Sequence, residues 1–121
     1  TGAWFETMAI MASDTPEGEA ARKAMGEASG TDLAGYEAQL ASTEMFYDAP
    51  DAVSFVEGGD LSATMDSVRS FLFAHGLLGE GAPSPDVVGI EFPDGSILGD
   101  EGNVKLRFTS EYMGLAAKGE L

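Results

Sequence analysis

The sequence contains no cysteine and only one histidine. Without cysteine the chain can form neither a disulfide framework nor a thiolate metal site, and it has no cysteine nucleophile. A single histidine, His75, makes a cluster of histidine metal ligands or a Ser-His-Asp triad within this chain hard to build. No apolar run approaches the ~20 residues that a membrane-spanning helix requires. The sequence therefore predicts no metal and no cofactor.

Basic residues are also scarce. The 121 residues include 21 acidic and six basic side chains, which gives a net charge of −15 at pH 7. No basic patch is available to neutralise phosphates, so binding to nucleic acid is not expected. The same negative field repels an anionic membrane surface. Acidic residues are spread along the whole chain, which indicates a well-solvated surface; adaptation to a salty extracellular environment is the alternative interpretation.

The length of the chain predicts a single domain. Its patterns divide it into a helical part at 1–78, a β-ribbon at 87–108 and a terminal helix at 109–121. A connector rich in glycine and proline separates the first two parts. The expected fold class is therefore α+β, mainly helical with a small antiparallel β-ribbon.

The first helix is predicted over residues 2–13, where Trp4, Met8 and Met11 form one apolar stripe. Thr15 is expected to cap a second helix that ends at Gly30. The expected buried face of that second helix consists of small residues and one methionine: Ala20, Ala21, Ala24, Met25 and Ala28. Thr31 is the expected cap of a third, shorter helix.

A longer helix is predicted from Leu61 to His75, and Gly76 stands where a left-handed cap belongs. Its main apolar stripe consists of Leu61, Met65, Val68 and Leu72, widened by Phe71 and Phe73. A histidine in the last turn satisfies the terminal carbonyls and the helix dipole. A catalytic or ligand-binding role for His75 is the alternative.

Two turns interrupt the predicted ribbon. Pro93-Asp94-Gly95 supplies the first, with glycine at the position that needs a positive φ, and residues 99–103 supply the second. Asp94, Asp100, Glu101 and Asn103 place four oxygen ligands near these turns, which suggests calcium. Their spacing does not match a helix-loop-helix calcium loop, and turns select Asp and Asn for their own geometry. We therefore favour the turn interpretation.

Three side chains are candidates for ligand binding. The aromatic pair Trp4-Phe5 precedes Glu6, and aromatic rings beside a carboxylate suit a small polar ligand such as an amide. The alternative places Trp4 in the core and Glu6 in water. The hydroxyl of Tyr47 is the third candidate, although an aromatic residue in an apolar run more often belongs to the core.

Several stretches of the sequence are similar to stretches of a known protein family. They are GAWFETM at 2–8, ASGTDLAGY at 28–36, MFY at 45–47, MDSVRSFLFAHGLLG at 65–79 and VGIEFPDG at 88–95. Together they resemble the C-terminal part of the periplasmic substrate-binding proteins of ABC importers. The class is that of importers for nitrate, sulfonates, taurine and thiamine precursors, in the branch associated with urea carboxylase.

The resemblance implies a two-lobed α/β fold that closes on a small nitrogen-containing solute, such as urea or an amide. It also implies delivery of that solute to ABC permease subunits, a periplasmic or otherwise extracytoplasmic location, and no enzymatic activity. The match corresponds to the last third of such a protein, which would be secreted or lipid-anchored at full length. The sheet of the first lobe and the whole second lobe have no counterpart here, so exposed helix faces and self-association are expected.

Two other function classes remain open from the residues. The chain could be a stand-alone helical interaction or accessory domain without solute binding. It could also be an acid–base hydrolase with paired carboxylates, although the sequence shows no positioned base or nucleophile.

Overall fold

The computed structural model describes all residues, 1–121, and contains six α-helices and three short β-strands. In chain order these are α1 (Gly2–Ala12), α2 (Pro16–Ala28), α3 (Leu33–Ala41), α4 (Ala49–Glu57), α5 (Asp60–Ala74), β1 (Gly89–Glu91), β2 (Ile97–Leu98), β3 (Val104–Arg107) and α6 (Glu111–Ala117). The predicted α+β class, mainly helical with a small sheet, is confirmed. Its origin as the C-terminal third of a two-lobed protein stays a prediction.

The chain divides into two compact units. The first comprises Thr1–Ala52 together with Tyr112–Leu121, and the second comprises Val53–Glu111. The boundaries therefore fall inside α4 and at the start of α6.

In the first unit α2 packs against both α1 and α3. The buried residues of α2 are Gly18 and Gly26, four residues on either side of the partly buried Arg22. The predicted alanine face is wrong: of its five residues only Ala21 is even partly buried, and Ala20, Ala24, Met25 and Ala28 are exposed. Glycine allows a closer approach of two helix backbones than alanine does, so the contact face is turned towards the glycines.

Arg22 joins the three helices of this unit. Its Nη1 donates hydrogen bonds to the carbonyl oxygens of Met11 (2.7 Å) and Ser13 (3.0 Å), at the end of α1. Its Nε donates to Glu37 Oε1 on α3 at 3.1 Å. A helix end leaves carbonyl groups without partners, and the guanidinium of Arg22 satisfies two of them here.

The helix starts of the first unit are partly as predicted. Thr15 caps α2, because its Oγ1 accepts a hydrogen bond from the Gly18 N–H at 3.1 Å. The predicted cap of α3 is wrong by one residue: the Gly35 N–H donates to Asp32 Oδ1 at 2.8 Å, and Thr31 lies outside the helix. Both side chains are good caps, and the local backbone decides between them.

The apolar stripe of α1 is shorter than predicted. Met8 and Met11 are 2% and 3% exposed, as expected, but Trp4 is 58% exposed. The interpretation that places Trp4 in the core is therefore wrong. Trp4 lies in the first turn of α1, one turn before the buried methionines.

The second unit contains a mixed sheet with the strand order β2-β1-β3. Strand β1 pairs antiparallel with β2, opposing Ile90 to Leu98, and parallel with β3, opposing Ile90 to Leu106. A purely antiparallel ribbon is therefore wrong, because β3 runs in the same direction as β1. A 3-10 turn at Glu101–Asn103 leads the chain from β2 to β3, which lies on the other side of β1.

The core of this unit lies between α5 and the sheet. Leu61, Ile90 and Phe92 are buried, and four partly buried apolar residues pack against them: Val56, Met65, Leu98 and Phe108. The rings of Phe92 and Phe108 stack at a centroid distance of 5.8 Å. The predicted apolar face of α5 is wrong at Val68, Phe71 and Phe73, which are 40%, 57% and 37% exposed, because the core meets only the first two turns of the helix.

The C-terminal end of α5 is as predicted. Gly76 has a φ of 68°, the left-handed conformation of a helix cap. The Nδ1 of His75 lies 2.8 Å from the Phe71 carbonyl oxygen, and the His75 ring stacks on that of Phe71 at 4.0 Å. His75 therefore satisfies a terminal carbonyl of its own helix, which is the role that its position favoured.

Candidate functional site

A cleft of about 380 Å³ opens in the second unit, where the turn between α4 and α5 faces the hairpin of β1 and β2. Glu57, Gly58, Gly59 and Ser62 line one wall. The segment from Phe92 to Ser96 contributes most of the opposite wall. A volume of this size is at the lower end of the range that small-molecule sites occupy.

The α4–α5 wall exposes backbone donors. Gly58 and Gly59 end α4 and allow α5 to begin immediately afterwards. Gly59 stands at the N-cap position of α5, and no side chain caps this end of the helix. The Gly58 N–H donates to the Phe55 carbonyl oxygen at 3.3 Å and the Leu61 N–H donates to the Gly58 carbonyl oxygen at 3.4 Å, so the N–H groups left for a ligand at this helix start are those of Gly59 and Asp60.

The hairpin wall carries an ionised carboxylate. Gly95 has a φ of 80° and completes the turn predicted at Pro93-Asp94-Gly95. Asp94 Oδ1 accepts hydrogen bonds from the Ser96 hydroxyl (2.7 Å) and from the Ser96 N–H (2.9 Å). The hydroxyl bond, followed by the backbone bond, holds the pKa of Asp94 below its ordinary value, so this exposed side chain is negatively charged at neutral pH.

The second carboxylate of the cleft belongs to Glu57. Its Oε1 accepts a hydrogen bond of 2.6 Å from the hydroxyl of Ser110, which also lines the cleft. No lysine or arginine lines the cleft, and the ion pairs of the chain involve other carboxylates than those of Glu57 and Asp94. The cleft therefore holds two acidic side chains and no basic one.

The floor of the cleft is apolar. Phe92 lines it and is only 7% exposed, with the ring of Phe108 stacked behind it. Val56, from the last turn of α4, lines the cleft as well. This arrangement of an apolar surface with a few polar groups around it is typical of sites for small molecules.

The predicted ligand-binding residues lie elsewhere. Trp4, Glu6 and Tyr47 all belong to the first unit, and none of them lines the cleft. The side chains of Trp4 and Glu6 are exposed, and Tyr47 is partly buried. Their proposed role in binding a solute stays a prediction.

The sequence did not predict this cleft. Of its residues Glu57, Ser62, Asp94, Ser96 and Ser110, only Asp94 was considered, as a calcium ligand or a turn residue. The Gly-Gly pair at 58–59 was not assigned to a site, and the Pro-Asp-Gly segment was interpreted as a turn. The signal was present, since both are tight turns with adjacent carboxylates. What the sequence does not contain is the information that the two turns face each other.

Asp94 and Asp100 each accept hydrogen bonds within their own turn. Asp100 Oδ1 accepts one from the Gly102 N–H at 2.8 Å, and the bonds of Asp94 to Ser96 are described above. Such local bonds are typical of Asp in turns, whereas Asn103 Nδ2 donates to the carbonyl oxygen of the distant Val87 at 2.6 Å. No group of three or more histidine, cysteine or acidic side chains is arranged to hold a metal ion.

None of the six helices has both the length and the apolar composition to cross a membrane. No family model matches the chain, and neither a curated protein nor a solved structure matches it. The evidence for its function therefore lies in the five sequence stretches quoted above and in the geometry of the cleft.

Proposed function

We propose that the chain is the C-terminal part of an extracytoplasmic solute-binding protein of an ABC importer. In this role it helps to bind a small nitrogen-containing solute, of the urea or amide type, and to deliver it to the permease subunits. The five stretches quoted above support the family. The observation that carries the proposal is the cleft, whose polar wall is rich in hydrogen-bond acceptors and has no basic residue.

The cleft matches the chemistry of such a solute. Urea and primary amides donate several N–H bonds, and the carboxylates of Glu57 and Asp94 accept them. The carbonyl oxygen of the solute accepts from the N–H groups of Gly59 and Asp60 at the start of α5. Phe92 gives the rest of a small solute an apolar surface. Binding and release need no covalent step, so the proposed role is not enzymatic.

Exposed apolar side chains support packing against further protein. Leu77 is 63% exposed, Trp4 58%, Phe71 57% and Tyr112 56%. Phe71 and Leu77 belong to the second unit, and Trp4 and Tyr112 belong to the first. Exposed apolar residues mark a binding surface where they are contiguous, whereas scattered ones are ordinary. In the proposed role these surfaces meet the remaining parts of the binding protein or the permease.

The test begins with the coding DNA upstream of Thr1. An in-frame extension with a secretory leader and an alternating strand–helix pattern is expected. The complete protein is then titrated with urea, formamide and acetamide by isothermal calorimetry, with saturable 1:1 binding as the expected result. Glu57→Gln should weaken that binding at least tenfold, while Asp14→Asn, which removes a carboxylate of the first unit, should not. Absence of any solute response in the complete protein would refute the proposal.

A second candidate is a stand-alone helical interaction or accessory domain, which the same exposed side chains favour. It predicts an upstream sequence without α/β lobes, a defined oligomer or complex in analytical ultracentrifugation, and no response to the solutes. Replacement of Phe71 and Leu77 by serine should then abolish the association. If the association survives these replacements, this exposed part of the second unit is not its interface.

A further inference from the structure

The charge of the cleft indicates which charge its ligand should have. Glu57 and Asp94 both line it, and no basic side chain compensates either of them. The chain as a whole has a net charge of −15. A negatively charged cleft in a strongly negative protein attracts cations and repels anions over distances up to the screening length of the solution.

We infer that this cleft takes a small cation with N–H donors, an amidinium or a primary ammonium on a short apolar body, in preference to a neutral amide of the same shape. This inference rests on the proposed function in taking the same cleft as a solute site, and it replaces the neutral urea-type or amide-type solute named there with a cation of similar size. It goes further in assigning a positive charge to the solute and in naming Glu57 and Asp94 as its partners.

Each of the two carboxylates has an oxygen to spare. Oδ1 of Asp94 is engaged by Ser96, and Oε1 of Glu57 is engaged by Ser110, whereas Oδ2 and Oε2 have no hydrogen bond within the protein. The serine bonds hold the carboxylates in place before a ligand arrives. A cationic N–H group gains a charge-assisted bond from each free oxygen, roughly twice as strong as a bond between neutral groups.

One feature of the cleft acts in the opposite direction. The N-terminus of α5 forms part of its wall, and a helix N-terminus carries a partial positive charge equivalent to roughly half a unit. Two full negative charges stand against it, and Asp60 in the first turn of α5 offsets it further. The balance of these charges therefore favours a cation.

Three ligands of one shape separate the alternatives: benzamidine, benzamide and benzoate. At neutral pH they carry a positive, a zero and a negative charge on the same phenyl ring. The chain is titrated with each in a two-dimensional ¹H–¹⁵N NMR experiment at low ionic strength. Benzamidine should give saturable shifts of the amide signals of residues 58–62 and 94–96, with a dissociation constant at least tenfold below that of benzamide. Benzoate should give no shifts there.

Conservative variants test the assigned partners. Glu57→Gln and Asp94→Asn keep the shape of each side chain and the acceptor for its serine, and each should weaken benzamidine binding about tenfold with an otherwise unchanged spectrum. Glu120→Gln removes the same charge from an exposed position in the first unit and should leave the affinity unchanged. Equal weakening by all three variants would mean diffuse attraction to an acidic surface, and would overturn the assignment.

The ligand series also separates this inference from the proposed function. If benzamide binds in the cleft as tightly as benzamidine, the positive charge of the solute is wrong, while the amide-type solute of the importer proposal is supported. If none of the three ligands shifts the cleft signals, the assignment of this cleft is wrong. The importer proposal is judged separately, by the solute titration of the complete protein.

Discussion

Replacing Gly18 with alanine should destabilise the first unit, although alanine favours a helix more than glycine does. A Cβ atom added at Gly18 would lie 2.3 Å from the Ser13 carbonyl oxygen, 2.5 Å from Ser13 Oγ and 2.7 Å from the Ile10 carbonyl oxygen. Two of these three atoms belong to the backbone at the end of α1, so the helices must move apart. That movement also disturbs the hydrogen bond from Arg22 to the Ser13 carbonyl.

The magnitude follows from two opposing effects. Inserting a group into a well-packed site costs typically ~1–3 kcal/mol, and a clash with backbone places Gly18→Ala near the upper end. The higher helix propensity of alanine offsets about 1 kcal/mol of this destabilisation. The expected net loss in the free energy of unfolding is therefore about 2 kcal/mol.

Gly114→Ala is the matched control. Gly114 also lies in a helix of the first unit, but nothing is found within 4 Å of a Cβ added there. Only helix propensity acts on this variant, so we expect it to be more stable by ~0.5–1 kcal/mol. The same chemical change should thus have opposite effects at the two positions.

Both variants are measured by urea unfolding, followed by the fluorescence of Trp4. Trp4 is the only tryptophan and lies in the first unit, so its signal reports on that unit without the assumption that both units unfold together. An unchanged or higher midpoint for Gly18→Ala would refute the argument from close packing. So would a shift of both variants in the same direction.

Three further predictions concern single side chains or turns. Trp4→Ala should lower the stability of the first unit by less than about 1 kcal/mol in a thermal melt, because Trp4 is 58% exposed, whereas a core tryptophan would cost ~3–5 kcal/mol. Gly76→Ala should cost about 1 kcal/mol in the same assay, because φ at Gly76 is 68° and nothing crowds an added Cβ; no loss would contradict the left-handed cap. Ser96→Ala should raise the depressed pKa of Asp94 in a ¹³C NMR titration, and an unchanged pKa would show that the Ser96 hydroxyl is not its cause. Because the folded-state pKa of Asp94 is depressed, its contribution to stability is present above the unfolded-state pKa and is lost as the pH falls through the folded-state value.

Local signals in the sequence predicted the ends of several elements. Thr15 caps α2, Gly76 ends α5 in a left-handed conformation, and Gly95 completes the hairpin turn. The cap depends on a side chain and a backbone group three residues apart, and the two glycines depend on the backbone conformation of a single residue. Such interactions are decided within the segment, so the sequence of the segment is enough to predict them.

The contacts between segments were not predictable in the same way. The buried face of α2 follows Gly18 and Gly26 rather than the alanines, because the position of α1 and α3 decides which face is covered. Likewise, the predicted ribbon at 87–108 includes β3, but the sequence could not fix the direction of this strand, because side chains alternate between the two faces of parallel and antiparallel sheets alike.

The cleft depends on contacts of this second kind. Its two walls come from turns that are far apart in the chain, and each turn alone is an ordinary connection. The carboxylates of Glu57 and Asp94 line the same cleft only because the core of Leu61, Ile90 and Phe92 brings α5 against the sheet. Trp4 and Glu6 suggested a site because they are close in sequence. The sequence alone does not show which residues are close in the folded structure.

The bond from the Ser110 hydroxyl to Glu57 has a consequence for the order of folding. It joins residues 53 positions apart, close to the two ends of the second unit. Closing so long a loop costs more chain entropy than forming the β1–β2 hairpin, and contacts of high sequence separation slow folding. The hairpin should therefore form early, and the Glu57 side of the cleft should be among the last parts to assemble. A ligand held by Glu57 and Asp94 would then retard the first step of unfolding, so amide hydrogen exchange should slow more in the turn between α4 and α5 than in β1.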